Sequence, residues 1–262
     1  MSTINMTDPV SFNGTDLNLI AGWRTTGTDT FRYPTRKLTN SSLAHTDKTI
    51  TTSAYFTGRS IDVRGVITIS GRELLDDSIS ELKRILQPIN KTLQLPISGT
   101  QRVFSSVTVK NIIIQDVAGG FAKIDVEFAT SDPHSYDLAT TELLNALNLA
   151  SGDKSYPVTF VGTAQQLPVI TLTIDSMGVS INRTVTFYSP AIGTSISIQR
   201  DWTATEVLVI DNLNQTVKVD GTDVGFTGNF LAWDSGMKFI NYTDNFGTRQ
   251  VDINVTYTKR YL

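Results

Sequence analysis

The stretch SIDVRGVITISGRELLDDSISELKRIL, residues 60–86, changes its hydrophobic period halfway along, and that change decides the fold. Ile61, Val63, Ile67 and Ile69 alternate with Asp62, Arg64 and Thr68, the period of a strand with one buried face. From Gly71 onward the apolar positions are Leu74, Leu75, Ile79, Leu82, Ile85 and Leu86, which fit one face of a helix. Ser70 and Glu73 stand at capping-box spacing before that helix, and Pro88 ends it, so a helix is predicted over residues 71–87.

Outward from this stretch the chain reads as strands. Residues 101–117 and 121–129 form two long alternating runs around Ala118, Gly119 and Gly120, a predicted hairpin with Ile124, Val126 and Phe128 facing inward and Lys123, Asp125 and Glu127 facing out. Residues 131–154 break the pattern with Pro133, a helix-like Leu143, Leu144, Leu147 cluster and a Ser-Gly-Asp sequence, and the domain boundary is placed there. Strands resume from Tyr156 about every ten to fifteen residues, the spacing of a sandwich or jelly roll. In the hairpin of residues 206–221, Val217 and Val219 are predicted to face the core while residues 211–214 turn the chain. The last run, residues 249–262, alternates Val251, Ile253, Val255 and Tyr257 with polar residues and must pair with another strand. Residues 27–54 are rich in Thr, Ser, Asn and Asp with few apolar anchors, a functional or disordered loop.

The organisation read from these patterns is mainly β. An N-terminal β-sandwich or barrel-like domain with one α-helix occupies residues 1–137, joined by the terminal strand 249–262. Residues 138–154 are a linker, and residues 155–248 form a C-terminal β-sandwich. The length of 262 residues suits two cores.

Composition removes several function classes. A net charge of −3 gives no general drive toward nucleic acid or anionic membranes. The local basic groups, Arg32, Arg36 and Lys37, then Lys259 and Arg260, read as solvated charges. Absence of cysteine excludes disulfides, thiolate metal sites and a cysteine nucleophile. The N-terminus shows no signal peptide, and no apolar run is long enough for a membrane span, so a soluble chain is expected.

No chemistry-bearing constellation emerges. The two histidines, His45 and His134, are too few for a converging metal site. Ser131, Asp132, His134 and Ser135 contain the residue types of a hydrolase triad, but they are too close in sequence to form its relay, and no nucleophile elbow occurs. Asp76, Asp77 and Glu81 lie on the polar side of the helix. The glycines of GTDVGFTG, residues 221–228, match neither a phosphate loop nor a dinucleotide fingerprint, because no helix follows. Sequons such as those at Asn13 and Asn182 reflect an Asn- and Thr-rich composition. Trp202, Phe226, Phe230 and Trp233 could stack on sugars, but core packing is the commoner use of such rings. The reading is therefore no catalytic residue, no cofactor and no metal.

The order of motifs resembles the distal tail protein (Dit) family of siphophages, the hub of the tail tip or baseplate. The strand-then-helix passage of residues 59–86 is similar to the family's early signature. VFSSVTVKNIIIQDVAGGFAKIDVEFATSDPHSYD, residues 103–137, resembles its long hairpin closing on Asp-Pro-x-x-Tyr, here Asp132, Pro133 and Tyr136. LVIDNLNQTVKVDGTDV, residues 208–224, looks like its later hairpin. GNFLAWDSGMKFINYT, residues 228–243, resembles its aromatic ending, with Ser235 and Lys238 departing from the common residues. The resemblance implies a structural virion protein at the distal end of the phage tail, made in the host cytoplasm. It implies a homo-hexameric ring, a galectin-like second domain, and an arm from residues 27–54 reaching a neighbouring subunit. The implied partners are the tail tube protein and a tail-tip hub, fibre or tail-associated lysin, with DNA passing through but not specifically bound, and no membrane. The alternative is a carbohydrate-binding β-sandwich recognising host surface glycans, though the basic and histidine-containing strand motifs of galectins are missing.

Overall fold

The computed structural model describes residues 9–29, 36–42, 49–97, 99–150, 152–178, 181–190 and 192–262. The chain divides after Leu138 into two compact units, residues 1–138 with Leu262 and residues 139–261. The class is mainly β with one α-helix, as the periodicity predicts.

In chain order the first unit contains β1 (Ser11–Phe12), β2 (Thr15–Asp16), β3 (Trp23–Asp29), β4 (Arg36–Ser42), β5 (Thr49–Phe56), β6 (Arg59–Thr68), α1 (Arg72–Leu86), β7 (Lys91–Ile97), β8 (Thr100–Ala118) and β9 (Phe121–Thr130). Strand β10 (Ser135–Leu149) begins in this unit and continues into the second. β8 serves two sheets in succession. Its first half pairs with β7 and with Tyr136 and Asp137 of β10, and its second half pairs with β9. The change falls at Ser106, whose φ of 51° is in the left-handed region and bends the strand. The second sheet then runs β8, β9, β6, β3, antiparallel throughout.

Between the two sheets and α1 lies one core: Ile61, Val63 and Ile67 of β6, Ile124, Val126 and Phe128 of β9, Phe12 of β1, and Leu75, Ile79, Leu82 and Leu86 of the helix. Each such side chain contributes about 1.5–3 kcal/mol on burial. Several glycines are required by close approach, Gly120 and Gly65 among them. A Cβ on Gly120 would stand 1.7 Å from the carbonyl oxygen of Ile69, where the Ile69 N–H donates to Gly120 O at 2.8 Å. A Cβ on Gly65 would meet the Trp23 ring at 2.4 Å. The predicted capping box does not form: Gly71, with φ 98°, is the N-cap, and no side chain caps the helix. With the start one residue later, Glu73 stands at the second helical position and cannot complete the box with Ser70.

The second unit contains β11 (Lys154–Phe160), β12 (Val169–Met177), β13 (Arg183–Ser189), β14 (Thr194–Arg200), β15 (Val207–Asp211), β16 (Thr216–Val219), β17 (Thr222–Asp223), β18 (Thr227–Gly228), β19 (Gly236–Asp244) and β20 (Arg249–Tyr261). One sheet runs β17, β16, β15, β12, β20, β10 and the other β11, β19, β13, β14, β18. Their inner residues share one core, in which Ile170, Leu172, Val185, Phe187, Ile253 and Val255 are fully buried. Val217 and Val219 face this core as predicted. The turn between β15 and β16 is held by the Asp211 carboxylate, which accepts from the amides of Leu213 (3.0 Å) and Asn214 (2.9 Å).

Two expectations change here. The run of residues 249–262, assigned from sequence to the N-terminal domain, pairs along β12 of the second unit from Arg249↔Met177 to Thr256↔Val169. Its alternation is as predicted, with Val251, Ile253, Val255 and Tyr257 buried, but alternation does not name a partner. Of the segment read as a linker, residues 138–154, with a helix-like leucine cluster, residues 138–149 belong instead to strand β10. Leu143, Leu144 and Leu149 pack against the second core, and that tertiary contact overrides local helix propensity.

Candidate functional site

The polar residues that converge most closely in the first unit surround Asp132, where β8, β9 and β10 meet. Oδ2 of Asp132 accepts from Tyr136 Oη (2.6 Å) and Ser105 Oγ (3.0 Å). Oδ1 accepts from the His134 amide (3.0 Å) and lies 3.0 Å from His134 Nδ1. An ionised carboxylate can only accept, so Nδ1 carries the ring proton. The Thr130 hydroxyl sits 2.7 Å from Ser105 O and 2.9 Å from Asp132 O, and accepts the Asp132 N–H at 3.1 Å. Burial alone raises the carboxyl, but the bonds from His134, Tyr136 and Ser105 outweigh it and hold it well below the usual carboxylate range.

This geometry is a structural clip. Its Asp–His contact matches two members of a triad, but the serine within reach, Ser105, donates to the carboxylate and has no imidazole to take its proton. Ser131 is exposed and Ser135 is buried. Pro133 fixes the turn that lets residues 132, 134 and 136 reach back to one point. The Asp-Pro-x-x-Tyr sequence thus locks the start of β10 to the bend of β8.

The remaining sequence candidates separate. Asp76 pairs with Arg72 (3.1 Å) and Glu81 with Arg84 (2.6 Å) on the exposed side of α1. His45 and Arg32 lie outside the described residues, as do the side chains of Arg36 and Lys37. Arg260 donates to Gln165 O at 2.9 Å. Glycines of residues 221–228 serve the turns beside β17 and β18. Asn13 and Asn182 occupy positive-φ turn positions. Among the described residues, no three His, Cys, Asp or Glu side chains gather as a metal site. No helix of the described residues is long and apolar enough to cross a membrane.

The aromatic group does not form a sugar platform. Trp202 and Trp233 are buried at 0% and 1% exposure. The Trp202 indole donates to Arg183 O at 3.0 Å, and Trp233 stacks on Phe160 with centroids 5.4 Å apart. Phe226 and Phe230 are nearer the surface and pack edge to face on each other at 5.0 Å.

Sequence reading missed Arg249. Its fully buried guanidinium pairs with Asp244, donates to the carbonyls of Leu149 (2.6 Å), Ala150 and Gly152 (3.1 Å), and lies 5.2 Å from the Tyr242 ring. It fastens the passage from β10 to β11. An arginine that opens a strand pattern gives no local signal of such a role.

Among the described residues, two sheet edges lack a partner strand: β3 pairs only with β6, and residues 109–118 of β8 pair only with β9. Among the described residues, strands β4 and β5 pair only with each other, as a separate two-stranded sheet.

No family model matches the chain, and no curated protein matches it. Among solved structures, the Dit protein (gp 19.1) of phage SPP1, described as a paradigm of the hub adsorption apparatus in phages infecting Gram-positive hosts, matches with a TM-score of 0.73 at 15% identity. The match covers 97% of this chain and 99% of that one. A chain of the phage P2 baseplate in its activated conformation with Ca matches at a TM-score of 0.45 and 7% identity, covering 94% of this chain and 92% of that one. The likeness to SPP1 Dit covers nearly the whole of both chains, and the chain therefore has the Dit fold.

Proposed function

We propose that this chain is a structural virion protein without catalytic site, cofactor or metal: a distal tail hub whose copies close into a hexameric ring at the end of a phage tail. The observation that carries the reading is the four-stranded sheet of β8, β9, β6 and β3, whose outer strands, β3 and residues 109–118 of β8, have no further partner strand among the described residues. β3 and β8 run in opposite directions, so the β3 edge of one copy can join the β8 edge of the next as an antiparallel pair. That contact is heterologous and generates a ring if its rotation closes.

Six copies would bring twenty-four strands to one barrel, with a backbone radius of about 18 Å if the strands ran along the axis and about 24 Å at a tilt of about 40°. Such a barrel leaves an aqueous channel. With the core and α1 on one side of the sheet, the other side carries Arg64, Lys110 and Lys123 interspersed with Asp62, Asp125 and Glu127. A channel lined by balanced charge lacks the positive field that traps a phosphate backbone, which suits DNA passage. The two-stranded sheet of β4 and β5 supports the same reading, because a two-stranded hairpin alone is marginal in water and gains stability from a neighbour. The tail tube protein above and a fibre or lysin-bearing tip protein below are the partners of this role.

Native mass spectrometry tests it, on the chain alone and with assembled tail tube. The expected species is a hexamer of about 173 kDa, from a chain of 28.8 kDa. A strict monomer at high concentration in both conditions would refute the ring.

A further inference from the structure

The outer face of the sheet β11, β19, β13, β14, β18 carries no charge. Alternation puts Val158, Ile240, Phe187 and Ile196 into the second core. The charged residues of these strands, Lys154, Arg183, Arg200, Lys238 and Asp244, all share that inward register. The outward positions are left to Ser, Thr, Asn, Gln, Pro, Met, Phe and Tyr. The other sheet of this unit is ordinary by comparison, with Asp175, Lys218 and Asp252 on its outward side.

Toward β11 this uncharged face leaves apolar side chains in the open. Met237 is 69% exposed and Phe239 46%, and the exposed Pro157 lies opposite Phe239. Asn241, the next outward residue of β19, sits between Ser155 of β11 and Tyr188 of β13. Tyr188 is therefore the diagonal neighbour of Phe239, about 7–8 Å away at the backbone. Asn241 is only 4% exposed although it faces outward. Its Nδ2 donates to Tyr188 O at 3.3 Å, while its Oδ1 accepts no hydrogen bond among the described residues. An open ring thus stands beside a fixed amide that keeps its acceptor.

Two features select the occupant. A face without charge has nothing to pair with a phosphate, carboxylate or ammonium group, so the ligand it suits is uncharged. Its open apolar side chains offer about 300 Å², well under the roughly 800 Å² that each partner buries in a stable protein pair, so the occupant is small. A neutral sugar meets both conditions: the C–H face of a pyranose packs on an exposed ring, and its hydroxyls donate to an amide carbonyl.

We propose that the outer face around Phe239, Tyr188 and Asn241 binds an uncharged oligosaccharide, with a pyranose against Phe239 and a hydroxyl donating to Asn241 Oδ1. The site adds ligand contact to the structural role and does not depend on the ring. Trp202 and Trp233 belong to the core on the other side of this sheet, so their emission does not report it.

The test is calorimetric titration of the purified chain with chitohexaose, maltohexaose and β-galactohexaose, repeated on Phe239→Ala. At least one sugar should give saturable heat, and Phe239→Ala should weaken it about tenfold or more at unchanged melting temperature. No saturable heat with any of the three up to about 10 mM overturns the proposal. So does binding that Phe239→Ala leaves unchanged, which would put the sugar elsewhere. If Phe239→Ala also melts lower, Phe239→Trp decides: the ring is kept, so retained or tighter binding supports the site and lost binding overturns it. Loss of assembly with tail proteins in Phe239→Ala, without any sugar binding in the wild type, would assign this face to a protein partner instead. The hexamer measurement is separate, so a missing ring and a missing sugar site are told apart.

Discussion

Replacing Asp132 with asparagine keeps the shape of the side chain and removes its charge, so it isolates the electrostatic part of the clip. Four donors converge on the carboxylate, two on each oxygen. The amide can offer one carbonyl oxygen, and it must face His134, whose main-chain N–H cannot reverse its role. The NH2 group then meets the hydroxyls of Tyr136 and Ser105, which can turn and accept, but the proton of Tyr136 loses its acceptor. Charge-assisted bonds become neutral ones, and Arg59 loses its counter-charge. With charge-assisted bonds worth about 1.5–3 kcal/mol each and neutral ones about 1, the net cost is about 3 kcal/mol. That corresponds to a fall of about 10 °C in the melting of the first unit.

The assay is urea unfolding of wild type and Asp132→Asn across a pH series. Asp132 has a folded pKa below its unfolded value. Its contribution is therefore fully present above the unfolded pKa of about 4 and is lost as pH falls through the folded value. The stability gap should be constant above about pH 5 and shrink below about pH 4. A gap under about 0.5 kcal/mol at pH 7, or one that does not shrink in acid, would refute the clip as described.

Two further outcomes test the second unit. Arg249→Ala leaves the buried Asp244 carboxylate and the carbonyls of Leu149, Ala150 and Gly152 without their donor. Unfolding followed by Trp202 and Trp233 emission should lose about 3–5 kcal/mol, and a loss under about 1 would contradict the anchoring role. Because both tryptophans are buried, titration with host-wall glycans should leave their emission unchanged; a saturable shift would favour the carbohydrate-binding alternative.

Much of the architecture was legible from period alone. The alternation in β6, β9 and β20 names the buried faces correctly, and the switch to helical spacing after Gly71 places α1 to within a residue. Period failed for β10, where a leucine cluster with helical spacing lies in a strand because Leu143, Leu144 and Leu149 pack on the second core. It also left open the destination of β20, since Val251, Ile253 and Val255 would suit any apolar sheet.

The sequence by itself determined the strands with clean alternation, the one helix to within a residue, and which side chains of β6, β9 and β20 turn inward, because these follow from the short-range geometry of the chain. Only the tertiary structure decided what the polar residues do. Ser105 meets Asp132 across 27 residues of sequence, and Arg249 reaches Leu149 across 100. No spacing rule announces either contact, because desolvated polar groups acquire their partners from whichever strands the fold brings beside them. The edges of β3 and β8, unpaired among the described residues, arise in the same way: an edge is a property of the finished sheet.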